Sequence, residues 1–120
     1  MIHLTAGHTL KGPNKDNGAS GNGYVEAELT VELRDKVMAI LKAKGVTVQS
    51  DIDSETLSQV INRLSPTEKD LSLDLHWNAS DNPQAGGVET FIPERHTHEE
   101  KSAAKELSAN IAAILGIKTR

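Results

Sequence analysis

With 120 residues, 13 basic against 17 acidic side chains, a net charge of −4 and no cysteine, the chain has the length of one domain, residues 1–120, with its own core. Disulfides, thiolate nucleophiles and sulfur-ligated metals are excluded. The acidic balance weighs against a general nucleic-acid or anionic-membrane surface, where a basic excess is expected, and no apolar run approaches the roughly 20 residues of a membrane-spanning helix. Tyr24, Trp77 and Phe91 are the only aromatic residues, so the core must be built from Leu, Val, Ile and Ala.

Met1 leads directly into IHLTAGH, with no basic region, apolar stretch or cleavage site, so no signal peptide is read. IHLTA alternates Ile2, Leu4 and Ala6 against His3 and Thr5, the period of a half-buried strand; His3 is expected to have a polar structural role. A long polar loop follows, GHTLKGPNKDNGASGNG, rich in turn-prone Gly and Asn. Its GASGNG lacks the Gly-Lys-Ser/Thr of a phosphate-binding loop. From Val25 the period becomes helical through Leu29, Leu33, Val37, Ile40 and Leu41, with a stop at Lys42, Lys44 and Gly45. VTV (46–48) reads as a short buried strand. Asp53 is placed to cap a second helix through Leu57, Val60, Ile61 and Leu64, which Pro66 ends. LSLDLH (71–76) is a third strand and VETFIP a fourth. Thr97 and Glu100 have capping-box spacing, and a third helix runs through Ala104, Leu107, Ile111, Ile114 and Leu115 to Gly116. Strands alternating with helices imply an α/β fold, three-layered, with a largely parallel sheet and helices on both faces.

In such sheets ligands gather beyond the carboxyl ends of the strands. His8 lies past the end of the first strand, His76 ends the third, and Glu26 opens the first helix on that edge. Two imidazoles and a carboxylate make a catalytic zinc set with a fourth position left for water or substrate. The separations match no short motif such as HExxH, and five histidines allow other triples, so the residues alone leave this site open. ERHTHEE (94–100), with His96 and His98, invites a second metal site but reads better as a solvated helix start. Trp77 is placed either to stack on a sugar or peptide or to pack; Asn78 suits backbone hydrogen bonds in its loop more than substrate contact.

Three segments carry a resemblance. IHLTAGHTLKGPNKDNGASGNGYVEAELTVEL resembles the opening of the zinc-dependent N-acetylmuramoyl-L-alanine amidases of the amidase-3 family, where a Gly-His pair ends a strand and a Glu begins the first helix. LSLDLHWNAS is similar to the family's second metal strand, and GGVETFIP to its following Gly-Val-Glu strand. The resemblance covers essentially the whole chain. It implies that His8, Glu26 and His76 bind Zn²⁺, with Glu28 the near rival of Glu26, and that the substrate is the amide between N-acetylmuramic acid and L-alanine in peptidoglycan. The family continues beyond its last helix into a strand bearing a second, proton-handling glutamate. This chain stops at GIKTR, so the resemblance implies a domain lacking the family's last strand, with Glu89 the available substitute carboxylate and weak or absent turnover. A catalytically silent peptidoglycan-binding module and a zinc peptidase on another substrate are the rival expectations. The protein would be cytoplasmic until released, as a phage-type lysin, or extracellular if a leader had been removed. Nothing in the residues indicates an oligomeric state.

Overall fold

Strand β1 (Ile2–Ala6) runs between β4 (Val48–Ser50) and β5 (Leu71–Leu75) in a three-stranded sheet of order β4-β1-β5, and both pairings are parallel. A computed structural model describes all residues, Met1–Arg120. Between β2 (Ser20–Gly21) and β3 (Tyr24–Val25) the loop read from sequence folds into a small antiparallel hairpin. Its two-residue Asn22-Gly23 turn has positive φ at both positions, 51° and 81°, the backbone that Asn-Gly favours in a tight hairpin. The helices are α1 (Glu26–Ala43), α2 (Leu57–Leu64) and α3 (His98–Leu115). The chain forms two compact units, Met1–Ala79 and Ser80–Arg120.

In the first unit β1 is covered on both faces, not one. Its apolar face is shielded by α1, which contacts all three strands of the sheet, and Leu4 is buried. The polar face lies under α2: His3 and Thr5 share a groove with Leu57, Val60, Ile61 and Leu64. His3 is therefore buried, and its nearest charged neighbour is Asp70, at 3.6 Å from Nε2. The α/β class, parallel sheet and flanking helices follow the sequence expectation.

Helix α1 differs in the face it buries most deeply. The sequence stripe is Leu29, Leu33, Val37, Ile40 and Leu41, yet the buried residues are Glu26, Ala27, Thr30 and Arg34, and Ile40 is exposed. Small side chains at 27 and 30 let the helix approach the end of β1, where the Thr30 hydroxyl lies 3.0 Å from the Gly7 carbonyl. Arg34 can be buried because Asp51, Asp53 and Asp35 surround its guanidinium at 2.8–2.9 Å. Unpaired, that charge would be far too costly to desolvate.

Three further expectations shift. The strand expected at 46–48 lies at Val48–Ser50, because the Val46 amide is still tied back to the end of α1, donating to Leu41 O at 3.0 Å. Asp53 does not cap α2; it is held by Arg34 and Lys11. The cap is Thr56, in a reciprocal box with Gln59. VETFIP forms no strand: only Val88 pairs, in an isolated parallel bridge with Thr119, so the ladder has a single rung. In this second unit α3 starts as read from sequence, with Thr97 and Glu100 in a capping box and Gly116 at its end with φ 65°. No helix is long and apolar enough to cross a membrane.

Candidate metal centre

Because β1 and β5 are parallel and in register, with Ala6 opposite Leu75, whatever follows each strand emerges at the same edge. Gly7-His8 follows β1 and His76 follows β5. The hairpin β2–β3 delivers the first turn of α1 to that edge, where the Glu26 amide donates to Ala19 O at 2.8 Å. His8 adopts a left-handed backbone, φ 73°, a conformation non-glycine residues seldom take. Two glycines make room. A Cβ on Gly7 would overlap the His76 ring and come within 2.7 Å of Leu75 O, and one on Gly18 would overlap the His8 ring and lie 2.6 Å from Glu26 Oε2.

Glu26 sits between the two rings. Its Oε2 is 3.1 Å from His8 Nε2 and its Oε1 is 2.9 Å from His76 Nδ1. The imidazoles meet edge to face, centroids 5.2 Å apart. One ligand atom from each of the three residues can be chosen so that all lie within 4.8 Å of one another. Backbone amides orient the carboxylate: Ala19 N–H donates to Oε2 at 2.8 Å and Trp77 N–H to Oε1 at 3.0 Å. Although burial pushes the Glu26 carboxyl up, these amides and the two imidazoles hold it below its ordinary range. Burial pushes His76 down, but its bonds to Glu26 and Asp74 carry it above the usual imidazole value.

The outer ring nitrogens also face carboxylates. His8 Nδ1 is 2.8 Å from Asp16 Oδ2, and His76 Nε2 is 3.0 Å from Asp74 Oδ2. Asp16 is held below the ordinary carboxyl range by the His8 bond and the Gly18 amide. The cluster thus gathers three carboxylates around two imidazoles, and the ion pairs of these carboxylates include neither Lys nor Arg. Even with both rings protonated its charge is negative. A divalent cation among two nitrogens and one buried carboxylate would offset that charge, and such a donor set is one that zinc accepts.

His8, Glu26 and His76, far apart in sequence, are brought together. The rival Glu28 is exposed on α1. Trp77 contributes its amide to Glu26 while remaining 44% exposed, and Asn78 is exposed too. Glu89 belongs to the second unit, 4.0 Å from Arg120 Nε. There His96 Nδ1 donates to Pro93 O at 2.8 Å, and His98 opens α3. Sequence reading passed over Asp16 and Asp74. For Asp74 the signal was present: residues two apart on a strand share a face, which sets it beside His76. For Asp16, in an irregular loop, periodicity carries no such signal.

Residues 2–120 match the family model described as N-acetylmuramoyl-L-alanine amidase. The N-acetylmuramoyl-L-alanine amidase LytC of Bacillus subtilis (strain 168) is 30% identical over 123 residues, covering 99% of this chain and 24% of LytC. The endolysin of Bacillus phage SPP1 is 32% identical over 95 residues, covering 76% of this chain and 33% of the endolysin. A germination-specific N-acetylmuramoyl-L-alanine amidase of Bacillus subtilis (strain 168) is 28% identical over 120 residues, covering 86% of this chain and 49% of that protein. The chain therefore spans about half or less of each of these relatives. No solved structure matches it.

Proposed function

This chain belongs to the N-acetylmuramoyl-L-alanine amidase family, and we propose that His8, Glu26 and His76 hold a zinc ion at which the amide between N-acetylmuramic acid and L-alanine of peptidoglycan is hydrolysed. The observation that carries this reading is the convergence of two imidazoles on one buried carboxylate at the carboxyl edge of a parallel sheet. Zinc at such a centre supplies Lewis acidity, activating water and polarising a carbonyl. The residues of the chain do the rest. Glu26, fixed by two backbone amides, and the two rings would supply three ligands, the number that leaves a four-coordinate zinc one position for water or substrate. The exposed Trp77 ring, next in sequence to His76, offers an apolar face to a sugar or peptide at the rim.

Turnover by the 120-residue chain is expected to be slow. Asp16 and Asp74, the other carboxylates at the centre, are both bonded to the rings, which leaves neither available to carry the proton of the attacking water. A positioned acid or base typically contributes about 10²–10⁴-fold.

The test is to incubate purified cell walls with the zinc-loaded chain and assay newly freed L-alanine amino groups. Slow release that stops on chelation and in Glu26→Gln is the expected result. No release above the Glu26→Gln background would favour the binding-module alternative. Release of other amino-acid termini would favour a peptidase.

A further inference from the structure

We propose that Asp16 and Asp74 are positioning residues of the metal centre, each fixing the tautomer and tilt of one imidazole so that His8 ligates through Nε2 and His76 through Nδ1. The inference rests on the zinc reading above and adds which atoms ligate and what holds them. A neutral imidazole carries its single proton on either nitrogen, and a proton on the inward nitrogen blocks ligation. A carboxylate at the outward nitrogen draws the proton there and raises the basicity of the other.

Both rings have this arrangement, reached by different routes. Asp16 Oδ2 faces His8 Nδ1 at 2.8 Å, leaving Nε2 toward Glu26 at 3.1 Å. Asp74 Oδ2 faces His76 Nε2 at 3.0 Å, leaving Nδ1 toward Glu26 at 2.9 Å. The opposite choice of ring nitrogen follows from where each carboxylate stands.

Each carboxylate is itself anchored, as an orienting group must be. Gly18 N–H donates to Asp16 Oδ1 at 3.1 Å, and the Asp16 amide donates to Thr9 O at 2.9 Å, tying this loop to the residue after His8. The Thr5 hydroxyl donates to Asp74 Oδ1 at 2.7 Å, across the β1–β5 pair in which these two residues are opposite. A surface ion pair without such anchors would count for little. The Asp74 side chain is 44% exposed against 64% for Asp16, so water competes less at Asp74 and its removal should have the larger effect.

The test is a zinc titration of wild type, Asp16→Ala, Asp74→Ala, Asp74→Asn and Glu28→Gln at one fixed pH, with the visible spectrum of each cobalt(II)-loaded form and the melting temperature of each metal-free form. Loss of an orienting carboxylate typically weakens a metal site by about 10–100-fold. Both alanine variants should fall in that range, Asp74→Ala the further, while Asp74→Asn, whose amide oxygen still accepts from Nε2–H, loses less. The cobalt spectrum should change in the alanine variants and not in Glu28→Gln. A structural role alone would move the metal-free melting temperature and leave the cobalt spectrum of the folded fraction intact, which would contradict the proposal. Should Asp74→Ala fail to fold, Asp74→Asn decides, expected below wild type in affinity. Zinc affinities within twofold of wild type in all three aspartate variants would overturn this inference alone. A wild-type chain that takes up no zinc would overturn the metal reading and this inference with it.

Discussion

His8 has φ 73°, and a left-handed backbone costs a residue with a Cβ roughly 1–2 kcal/mol. The turn is what swings the ring from the end of β1 toward Glu26, so the strain serves ligation and not folding. We predict that His8→Gly and His8→Ala both lose zinc, but that the glycine variant is the more stable of the two without metal by about 1 kcal/mol in urea unfolding. Equal stability would mean the backbone relaxes away from this conformation. Acid should also release the metal. His76 lies above its ordinary pKa in the metal-free chain, so protons compete for Nδ1 from higher pH than at a free imidazole, whose value is about 6.5. Glu26 lies below its ordinary value and stays ionised well after the imidazole has protonated. Zinc affinity should therefore fall as pH drops through neutrality, and a flat profile between about pH 7.5 and 5.5 would contradict the ligand set. Metal-type residues were legible in the sequence here because strand ends and a helix start bracketed His8, Glu26 and His76. The left-handed turn at His8 was not, since in a Gly-His pair the glycine is the residue expected to take a positive φ, and here the histidine takes it.

Element by element, the apolar period located helices better than it located what they bury. Leu29, Leu33, Val37 and Leu41 announced α1, yet its deepest face carries Glu26, Thr30 and Arg34, polar residues that a count of apolar spacing passes over. Arg34 finds two of its partners in the loop after β4, and only the three-dimensional structure brings Asp51 and Asp53 to it. Arg34→Ala strands the buried Asp51 carboxylate, so the folded state should be destabilised by about 3–5 kcal/mol; a loss under 1 kcal/mol, about that of an exposed pair, would show the network to be solvated. Asp53 is held below its ordinary pKa by Arg34 despite partial burial. A depressed carboxyl contributes stability that is present above the unfolded value, about 3.9, and lost as pH falls through the folded one. The Asp53→Asn variant should thus be less stable than wild type near neutrality, the difference shrinking below about pH 4. Thr56, in contrast, is a local cap, and Thr56→Ala should cost about 1 kcal/mol at any pH. The fourth strand failed for a related reason. VETFIP has strand composition, but a strand needs a neighbour, and only Val88 finds one.

At the scale of the molecule, every residue of the proposed centre lies within Met1–Ala79, while Glu89, His96 and His98 belong to Ser80–Arg120. The α/β alternation was legible through Met1–Ala79; which residues group into each compact unit depends on which contacts form and not on which elements exist. Zinc bound to the native chain alone should raise its melting temperature, a 100-fold excess over Kd corresponding to about 2.7 kcal/mol. The account stands or falls on whether the three converging residues hold a metal. The most direct measurement is a calorimetric zinc titration of the metal-free chain at neutral pH beside His8→Ala, Glu26→Gln, His76→Ala and His96→Ala. One zinc per chain is expected for wild type and His96→Ala, with affinity lost by orders of magnitude in the other three. No uptake by wild type, or uptake equally insensitive to all four substitutions, would contradict it.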